Sequence, residues 1–240
     1  METALLAWFD EHGRDLPWRR TRDPYAILVS EVMLQQTQVA RVGPRYLAFI
    51  ERWPTVESLA AAAPGEVIRE WQGLGYNRRA LNLHRAARKI AADGWPDDLT
   101  ELPGVGRYTA DAVDRFALDR AVLPVDTNVR RVLERTGCEF GPASAHALMD
   151  LGATICLARI PRCHTCPLAA DCPSRGRRYE PLRKQGRFEG SFRQRRARTL
   201  TLVAERPRRQ GSLDREATAS LAADGLVEVR RGLVSLPGAS

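Results

Sequence analysis

The chain has 240 residues, 44% of them hydrophobic, which is enough to bury a sizeable core in one large or two modest domains. It has no apolar run near the ~18 residues that a membrane span requires, and its acidic, amphipathic start lacks a basic leader, so we expect a cytosolic protein. The net charge is +8, and residues 173–240 hold the whole excess, with 16 basic and 7 acidic side chains against 21 and 22 in residues 1–172. Such a tail favours nucleic acid as a partner, although a solvated tail has the same composition.

Most of the chain has the apolar spacing of helices. Apolar residues recur every three or four positions in four stretches: "TALLAWFDEHG", "PYAILVSEVMLQQTQVARVGPRYLAFIERW", "TVESLAAAAPGEVIREWQGLG" and "RRALNLHRAARKIAADG". We therefore predict an all-α body.

The C-terminal pattern differs. "SFRQRRARTLTLV" and "LDREATASLAADGL" predict two helices, and "LVEVRR" and "LVSLPG" alternate as two short strands. This order predicts a small winged-helix-like module, which either binds DNA through its recognition helix or only packs against the body.

The stretch "LPGVGRYTADAV" places Gly104 and Gly106 between a proline turn and a helical pattern. Glycines there suit a plain helix–helix turn, because they tolerate positive φ. They equally suit a loop whose backbone N–H groups meet a phosphate at the mouth of a helix, where Arg107 would add charge.

Four of the five cysteines lie within 17 residues, at Cys156, Cys163, Cys166 and Cys172. A disulfide framework is not expected in a cytosolic chain, so this spacing predicts a metal site. Zinc ribbons usually pair two close couples across a longer gap, whereas one compact loop of four thiolates suits a [4Fe–4S] cluster. The spacing favours iron–sulfur and leaves zinc as the alternative.

The glycine loop, the aspartate that follows it (Asp126) and the cysteine spacing resemble those of the helix-hairpin-helix DNA glycosylases of the endonuclease III superfamily. Within that superfamily, "DLPWR" (15–19), "SEVMLQQTQV" (30–39), "GLGY" (73–76) and "NLH" (82–84) are similar to the adenine DNA glycosylases of the MutY type. The resemblance covers roughly residues 5–175. It implies a two-lobed all-α fold with the active site in the cleft, a [4Fe–4S] cluster on the four cysteines, and base excision repair of duplex DNA.

The resemblance also implies the chemistry. Glu31 would protonate the purine, and burial suits this role because it disfavours the carboxylate anion. Asp126 would stabilise the positive charge that builds on the deoxyribose, although an aspartate before "TNVRRVLER" also suits a helix N-cap. Asn128 and Tyr108 would support the two carboxylates. Tyr108 stands where strand-cutting members carry a Schiff-base lysine, which predicts a monofunctional enzyme.

Further residues follow from the same family match. Gln36 would fill the gap left by the flipped nucleotide, and Tyr76 would wedge beside the opposing base. Trp18, Arg19 and His146 would line the base pocket, and His146 departs from the glutamine or glutamate common there. The chain between 136 and 147 is also shorter than in family members.

We expect excision of adenine opposite guanine or 8-oxoguanine, by a monomer in the cytoplasm that associates with the nucleoid. The alternatives are a thymine glycosylase for T·G mismatches and a non-catalytic DNA-binding protein. The predicted domains are a glycosylase domain (1–176, with the cluster loop at 156–172), a basic linker (177–192) and the winged-helix-like module (193–240). The last 68 residues are too few for the usual 8-oxoguanine-recognition domain.

Overall fold

The computed structural model describes residues 1–180 and 186–238, and these residues are mainly helical with one small sheet. The α-helices of the described residues are α1 Glu2–His12, α2 Pro24–Leu34, α3 Val39–Arg52, α4 Val56–Ala61, α5 Pro64–Glu70, α6 Arg78–Asp93, α7 Arg107–Phe116, α8 Thr127–Thr136, α9 Ala145–Thr154, α10 Phe192–Glu205 and α11 Arg215–Ala223. The strands are β1 Arg208–Arg209, β2 Glu228–Arg230 and β3 Leu233–Ser235, and they pair antiparallel in the order β1-β3-β2. The predicted helical body is confirmed.

Two of the predicted helical stretches are each divided into two helices. The first divides between α2 and α3, where Gln36 adopts a φ of 56°, a left-handed conformation that a right-handed helix cannot include. The second divides between α4 and α5, and Pro64 begins the new helix, where its missing N–H costs nothing. No helix of the described residues is long and apolar enough to cross a membrane.

The chain forms two compact units, each built from two separate segments. The first unit comprises Met1–Ile27 and Gly106–Gln185, and the second comprises Leu28–Val105 and Gly186–Ser240. Helix α2 begins in the first unit and continues into the second. This division agrees with the two-lobed fold that the resemblance implies.

The core of the first unit fixes helix α8. Val129 and Val132 of α8 are fully buried against Leu5 of α1 and against Leu148 and Leu151 of α9. Each such side chain stabilises the fold by about 1.5–3 kcal/mol relative to an exposed one. The polar residues at both ends of α8 are therefore held on a rigid element.

The core of the second unit includes the C-terminal residues. Leu200 of α10, Leu221 of α11 and Val234 of β3 pack with Ile68 of α5. The N–H of Gly65 also donates to the carbonyl of Pro237 at 2.9 Å, and a Cβ on Gly65 would lie 2.7 Å from that oxygen, so this approach requires glycine.

The two helices and two strands predicted for the C-terminus are present, and β1 is a third strand that the pattern did not indicate. The predicted linker, 177–192, includes residues 181–185, which lie outside the described residues.

Candidate active site

The glycine loop is a tight turn that leads into α7. The N–H of Val105 donates to the carbonyl of Leu102 at 3.1 Å, with Pro103 and Gly104 between them and a φ of 80° at Gly104. Proline followed by a glycine at positive φ is the arrangement of a type II turn. A Cβ on Gly104 would lie 2.7 Å from the Asn82 side chain, so the turn also needs glycine for space.

The N-terminus of α7 faces solvent. Its N-cap is Gly106, which has no side chain to accept from the first N–H groups, and both Gly106 and Arg107 are exposed. Arg107 lies 3.7 Å from Asp111, four residues along the same helix. Exposed N–H donors at a positive helix end, beside an arginine, can bind a phosphate group.

Asp126 begins α8 as its N-cap. Its Oδ1 accepts from the N–H groups of Asn128 at 2.8 Å and Val129 at 2.6 Å. Its Oδ2 accepts from Asn128 Nδ2 at 3.0 Å. The N-cap interpretation is confirmed, and because the carboxylate is fixed by three donors and half-buried, it also suits a fixed negative charge beside a substrate.

Two arginines on α8 extend this arrangement toward the cysteines. Arg131 donates from Nη2 to Asn128 Oδ1 at 2.8 Å and from Nε to the carbonyl of Cys156 at 2.7 Å. Arg135, one turn further, donates to the carbonyls of Leu157 and Ala158 at 2.7 Å each. The spacing of three and four residues places Asn128, Arg131 and Arg135 on one helix face. Burial lowers the pKa of Arg131 from its ordinary value.

The four cysteines line one cavity at the C-terminal end of α8, together with Leu168 and other residues of that unit. Two N–H groups donate to their sulfurs: Arg135 Nη1 to Cys156 Sγ at 3.5 Å and the Gly176 N–H to Cys163 Sγ at 3.3 Å. Burial and the three neighbouring cysteines raise the pKa of the Cys166 thiol. Within residues 1–180 and 186–238, no group of three or more His, Cys, Asp or Glu side chains has the arrangement of a metal-ion site. Thiols around a cavity, with N–H donors to sulfur, fit a polynuclear cluster.

Arg19 belongs to a buried ion cluster. Asp150 of α9 is fully buried and accepts from Arg19 Nη1 at 3.0 Å and Nη2 at 2.7 Å. Arg14 binds the same carboxylate through its backbone N–H at 2.8 Å and its guanidinium at 2.8 and 2.6 Å. Burial alone raises the pKa of the Asp150 carboxyl, but the hydrogen bonds from Arg19 and Arg14 outweigh it, and that pKa lies below its ordinary value. Trp18, next to Arg19, is buried.

His146 lies in an aromatic stack of the same unit. Its ring is parallel to that of Phe116 at a centroid distance of 4.1 Å, and the Phe9 ring lies on it at 6.4 Å. Burial, and then the charge of Arg19, lower the pKa of His146 to about 4. The imidazole is therefore neutral at physiological pH, when one ring nitrogen donates a hydrogen bond and the other accepts.

Glu31 belongs to the second unit. It lies in α2 at 5% exposure, within the continuous buried run 25–33. Asp126, Asn128 and Tyr108 belong to the first unit, where Tyr108 is half-buried in the first turn of α7.

Gln36 and Tyr76 share an unusual backbone. Both are exposed, and both adopt positive φ without being glycine, at 56° and 45°. Such residues are uncommon, cost on the order of 1 kcal/mol, and concentrate at functional sites. The two residues that the family match assigns to DNA probing are thus among the strained positions of this unit.

Arg79 connects the two loops that carry Gln36 and Tyr76. Its buried guanidinium donates to Thr37 Oγ1 at 3.0 Å, beside Gln36, and to the carbonyls of Leu74 and Gly75 at 3.2 and 2.9 Å, beside Tyr76. It also donates to the carbonyls of Val32 and Met33, at 2.6 and 2.9 Å, at the end of α2. Burial lowers the pKa of Arg79 to about 10.

The sequence pattern did not indicate the roles of Arg79, Arg131 and Asp150. One signal was available for Asp150, because a single carboxylate within the apolar stretch "AHALMDLGAT" indicates a buried ion pair. The two arginines lie in basic helical stretches that look solvent-exposed, and no local pattern separates them from their neighbours.

The fold and this site define a helix-hairpin-helix protein with a four-cysteine loop. The HhH-GPD superfamily of base excision DNA repair proteins matches residues 29–148. An adenine DNA glycosylase from Mycolicibacterium smegmatis is 43% identical, over 93% of this chain and 91% of its own length. The chain belongs to the HhH-GPD superfamily of base excision DNA repair proteins.

Solved structures support the same fold. A thermostable thymine-DNA glycosylase superposes with a TM-score of 0.65 and 28% identity, over 71% of this chain and 93% of its own. A trapped endonuclease III–DNA covalent intermediate, an estranged-adenine complex, superposes with a TM-score of 0.62 and 25% identity, over 71% of this chain and 92% of its own.

Proposed function

We propose that this chain is a monofunctional DNA glycosylase that removes adenine mispaired with guanine or 8-oxoguanine in base excision repair. The observation that carries the proposal is the pair of carboxyl groups in contrasting surroundings: Glu31 is buried in an apolar helix, and Asp126 is held by three N–H donors. Burial in an apolar helix suits the general acid, and the three N–H donors hold the Asp126 carboxyl group in a fixed orientation. The 43% identity to an adenine DNA glycosylase supports adenine as the base.

In the proposed reaction Glu31 donates a proton to N7 of the flipped adenine. The C1′–N9 bond then breaks, its electron pair leaves with the base, and positive charge develops on the deoxyribose. Asp126 stabilises that charge, and a water molecule adds to C1′ and gives its proton to the Glu31 carboxylate, which restores the acid and leaves an abasic site. Asn128, bound to both Asp126 and Arg131, keeps the carboxylate oriented.

The strand remains uncut in this proposal, because Tyr108 cannot form a Schiff base with the sugar. Borohydride should therefore trap no covalent enzyme–DNA adduct. Efficient trapping by the wild-type protein would contradict the monofunctional mechanism.

The DNA contacts we propose divide into three groups. Gly104, Gly106 and Arg107 hold a phosphate at the start of α7, and Gln36 and Tyr76 enter the duplex beside the flipped nucleotide. Trp18, Arg19 and His146 line the base pocket. Because Arg19 is already bound to Asp150, we assign it to holding the pocket wall rather than to direct contact with the base.

We propose that Cys156, Cys163, Cys166 and Cys172 bind a [4Fe–4S] cluster. The shared cavity and the N–H donors to two of the sulfurs support this assignment. When bound, the cluster cross-links the loop by metal–thiolate bonds. Arg131 and Arg135 hold the backbone of the loop from α8 in either case.

We further propose that the protein works as a monomer on duplex DNA, in the cytoplasm and at the nucleoid. Its glycosylase domain would be residues 1–176, followed by the linker 177–192 and the winged-helix-like module 193–240.

A panel of mismatched duplexes tests the base assignment. Each duplex is incubated with the protein and heated in alkali, which cleaves at abasic sites. Cleavage at adenine opposite guanine or 8-oxoguanine is the expected result. The thymine-DNA glycosylase fold neighbour makes thymine excision from T·G the second candidate, and cleavage at that thymine would favour it. Tight mismatch binding without cleavage of any duplex would indicate a non-catalytic DNA-binding protein.

A further inference from the structure

Helix α11, which the element order predicts as the recognition helix, has its one acidic residue and the aspartates at its two ends bound by arginines. Arg195 of α10 donates to Asp214 at 3.1 Å and to Glu216 at 2.6 Å, and Arg196 of α10 donates to Asp224 at 2.5 Å. One basic residue, Arg215, lies on α11, and it is exposed. The polar groups of this helix thus hold α10 and α11 together, and they offer little positive charge to DNA.

The three-stranded sheet, unlike α11, exposes several arginine side chains. Leu233 of β3 is paired with Arg209 of β1 on one side and with Arg230 of β2 on the other. Residues directly opposite each other in antiparallel strands share a face, so these three side chains form one row across the sheet. The next residue of β3, Val234, is fully buried on the other face. Leu233 itself is 45% exposed, with an arginine on each side.

The turn between β2 and β3 carries one more exposed arginine. Arg231 and Gly232 form the two-residue loop, with φ of 50° and 76°. A type I′ hairpin turn needs positive φ at both positions, and asparagine or aspartate is the usual first residue because arginine is strained there. An exposed arginine is therefore held at the tip of the hairpin at a conformational cost.

We propose that Arg209, Arg230, Arg231 and Leu233, here called the wing face, bind the phosphate backbone of duplex DNA outside the lesion. Within residues 1–180 and 186–238, neither Arg209 nor Arg231 takes part in an ion pair, whereas Arg230 is paired with Glu228 at 2.7 Å. Guanidinium groups fit phosphate oxygens with two parallel hydrogen bonds, and the leucine between them can contact deoxyribose carbons. The module then binds DNA through its sheet, and α11 serves as packing.

The positive charge of the C-terminal residues favours DNA as the partner of the wing face. Residues 173–240 carry 16 basic and 7 acidic side chains, while the rest of the chain is almost neutral. The arginines of α10 are engaged with the acidic groups at α11, so the excess lies on other basic residues, and Arg209 and Arg231 are two that have no ion-pair partner within the described residues. The proposal rests on DNA binding by the superfamily and does not require adenine as the excised base.

The test compares the salt dependence of DNA binding by three full-length proteins: wild type, the double variant R209Q/R231Q and the matched control R215Q. Binding of a fully matched duplex is measured by fluorescence anisotropy at several salt concentrations. Each lost phosphate contact should reduce the magnitude of the slope of log affinity against log salt by about 0.9, so the double variant should lose about 1.8. R215Q should keep the wild-type slope.

A fourth protein, L233N, separates charge from apolar contact. It should bind more weakly with an unchanged salt slope, because no counterion release depends on leucine. Thermal unfolding checks that all variants fold, and single-turnover excision at saturating protein should be unchanged in each. Loss of slope in R215Q alone would assign DNA binding to α11. Unchanged slopes in both arginine variants would overturn the proposal and leave the module a packing element.

Discussion

Arg131 joins α8 to the cysteine loop, because its Nε donates to the carbonyl oxygen of Cys156 at 2.7 Å. The same guanidinium donates from Nη2 to Asn128 Oδ1 at 2.8 Å, and Asn128 Nδ2 donates to Asp126 at 3.0 Å. One side chain therefore connects the proposed cluster loop with the proposed cation-stabilising carboxylate. Three successive hydrogen bonds thus run from the carbonyl of Cys156 to the carboxylate of Asp126.

Replacing Arg131 with glutamine should weaken both the cysteine loop and the support of the Asp126 carboxylate. We expect the single-turnover rate to fall about tenfold or more, because Asn128 loses its anchor, and the free energy of unfolding to fall by about 1.5–3 kcal/mol, the usual worth of hydrogen bonds to a charged group. The exposed neighbour Arg130 provides the matched control, Arg130→Gln. Equal rates and equal stability for the two variants would show that this connection has no function.

Replacing Glu31 with glutamine should remove the proton donor while its shape is kept. The chemical step should fall by ~10²-fold or more, and affinity for the mismatched duplex should stay within a few fold of wild type. Single-turnover kinetics and anisotropy measure the two quantities separately. Glu51→Gln, at an exposed position of α3, serves as the control. Full activity of the Glu31 variant would exclude it as the acid.

Metal analysis of the purified protein should find about four iron atoms per chain, with a yellow-brown colour. Cys163→Ser should lose iron and lower the unfolding temperature, since metal–thiolate bonds contribute to the folding of the loop. Cys138→Ser, which changes the cysteine outside the cavity, should keep the full iron content. One zinc per chain and no visible absorption would refute the cluster assignment.

Replacing Arg79 with lysine should leave several carbonyls without donors, because an ammonium group has three donors and a more compact shape. Each unsatisfied buried group costs about 1–3 kcal/mol, so a loss of about 3 kcal/mol or more is expected in chemical denaturation. Mismatch affinity should fall as well, since the backbone around Gln36 and Tyr76 loses its support. Arg78→Lys, on the exposed side of the same turn, should be nearly neutral, and a similar effect of both variants would argue against this role.

His146 should make stability depend on pH. The unfolded chain binds a proton on this group below its ordinary pKa of 6.5, whereas the folded protein does so only below about 4. Stability is therefore full above pH 6.5 and falls as the pH drops from 6.5 to 4, by about 3 kcal/mol for this group. In urea unfolding at pH 7, 5.5 and 4.5, the wild type should lose more stability than His146→Gln. Parallel curves would show that the imidazole is protonated equally in both states.

Much of the site could be predicted from the sequence, because its signals are local. Helices follow from the spacing of apolar residues, and the proline and glycine of the loop 102–107 specify a turn at the start of a helix. The N-cap function of Asp126 depends on N–H groups two and three residues away. Four cysteines within 17 residues must lie close together in any compact fold, so their shared cavity was also predictable.

The remaining features depend on residues far apart in the chain. Asp150 meets Arg14 and Arg19 across more than 130 residues, and Arg79 reaches carbonyls 46 and 47 residues earlier. The sequence by itself determined the helices, the turn, the cap and the cysteine cluster, since each depends on neighbours within a few residues. Only the tertiary structure decided which arginines are buried and donate to distant carbonyl or carboxylate groups, and which remain exposed on the wing face. The physical reason is that burial, unlike helix spacing, is set by whatever the rest of the chain packs against each side chain.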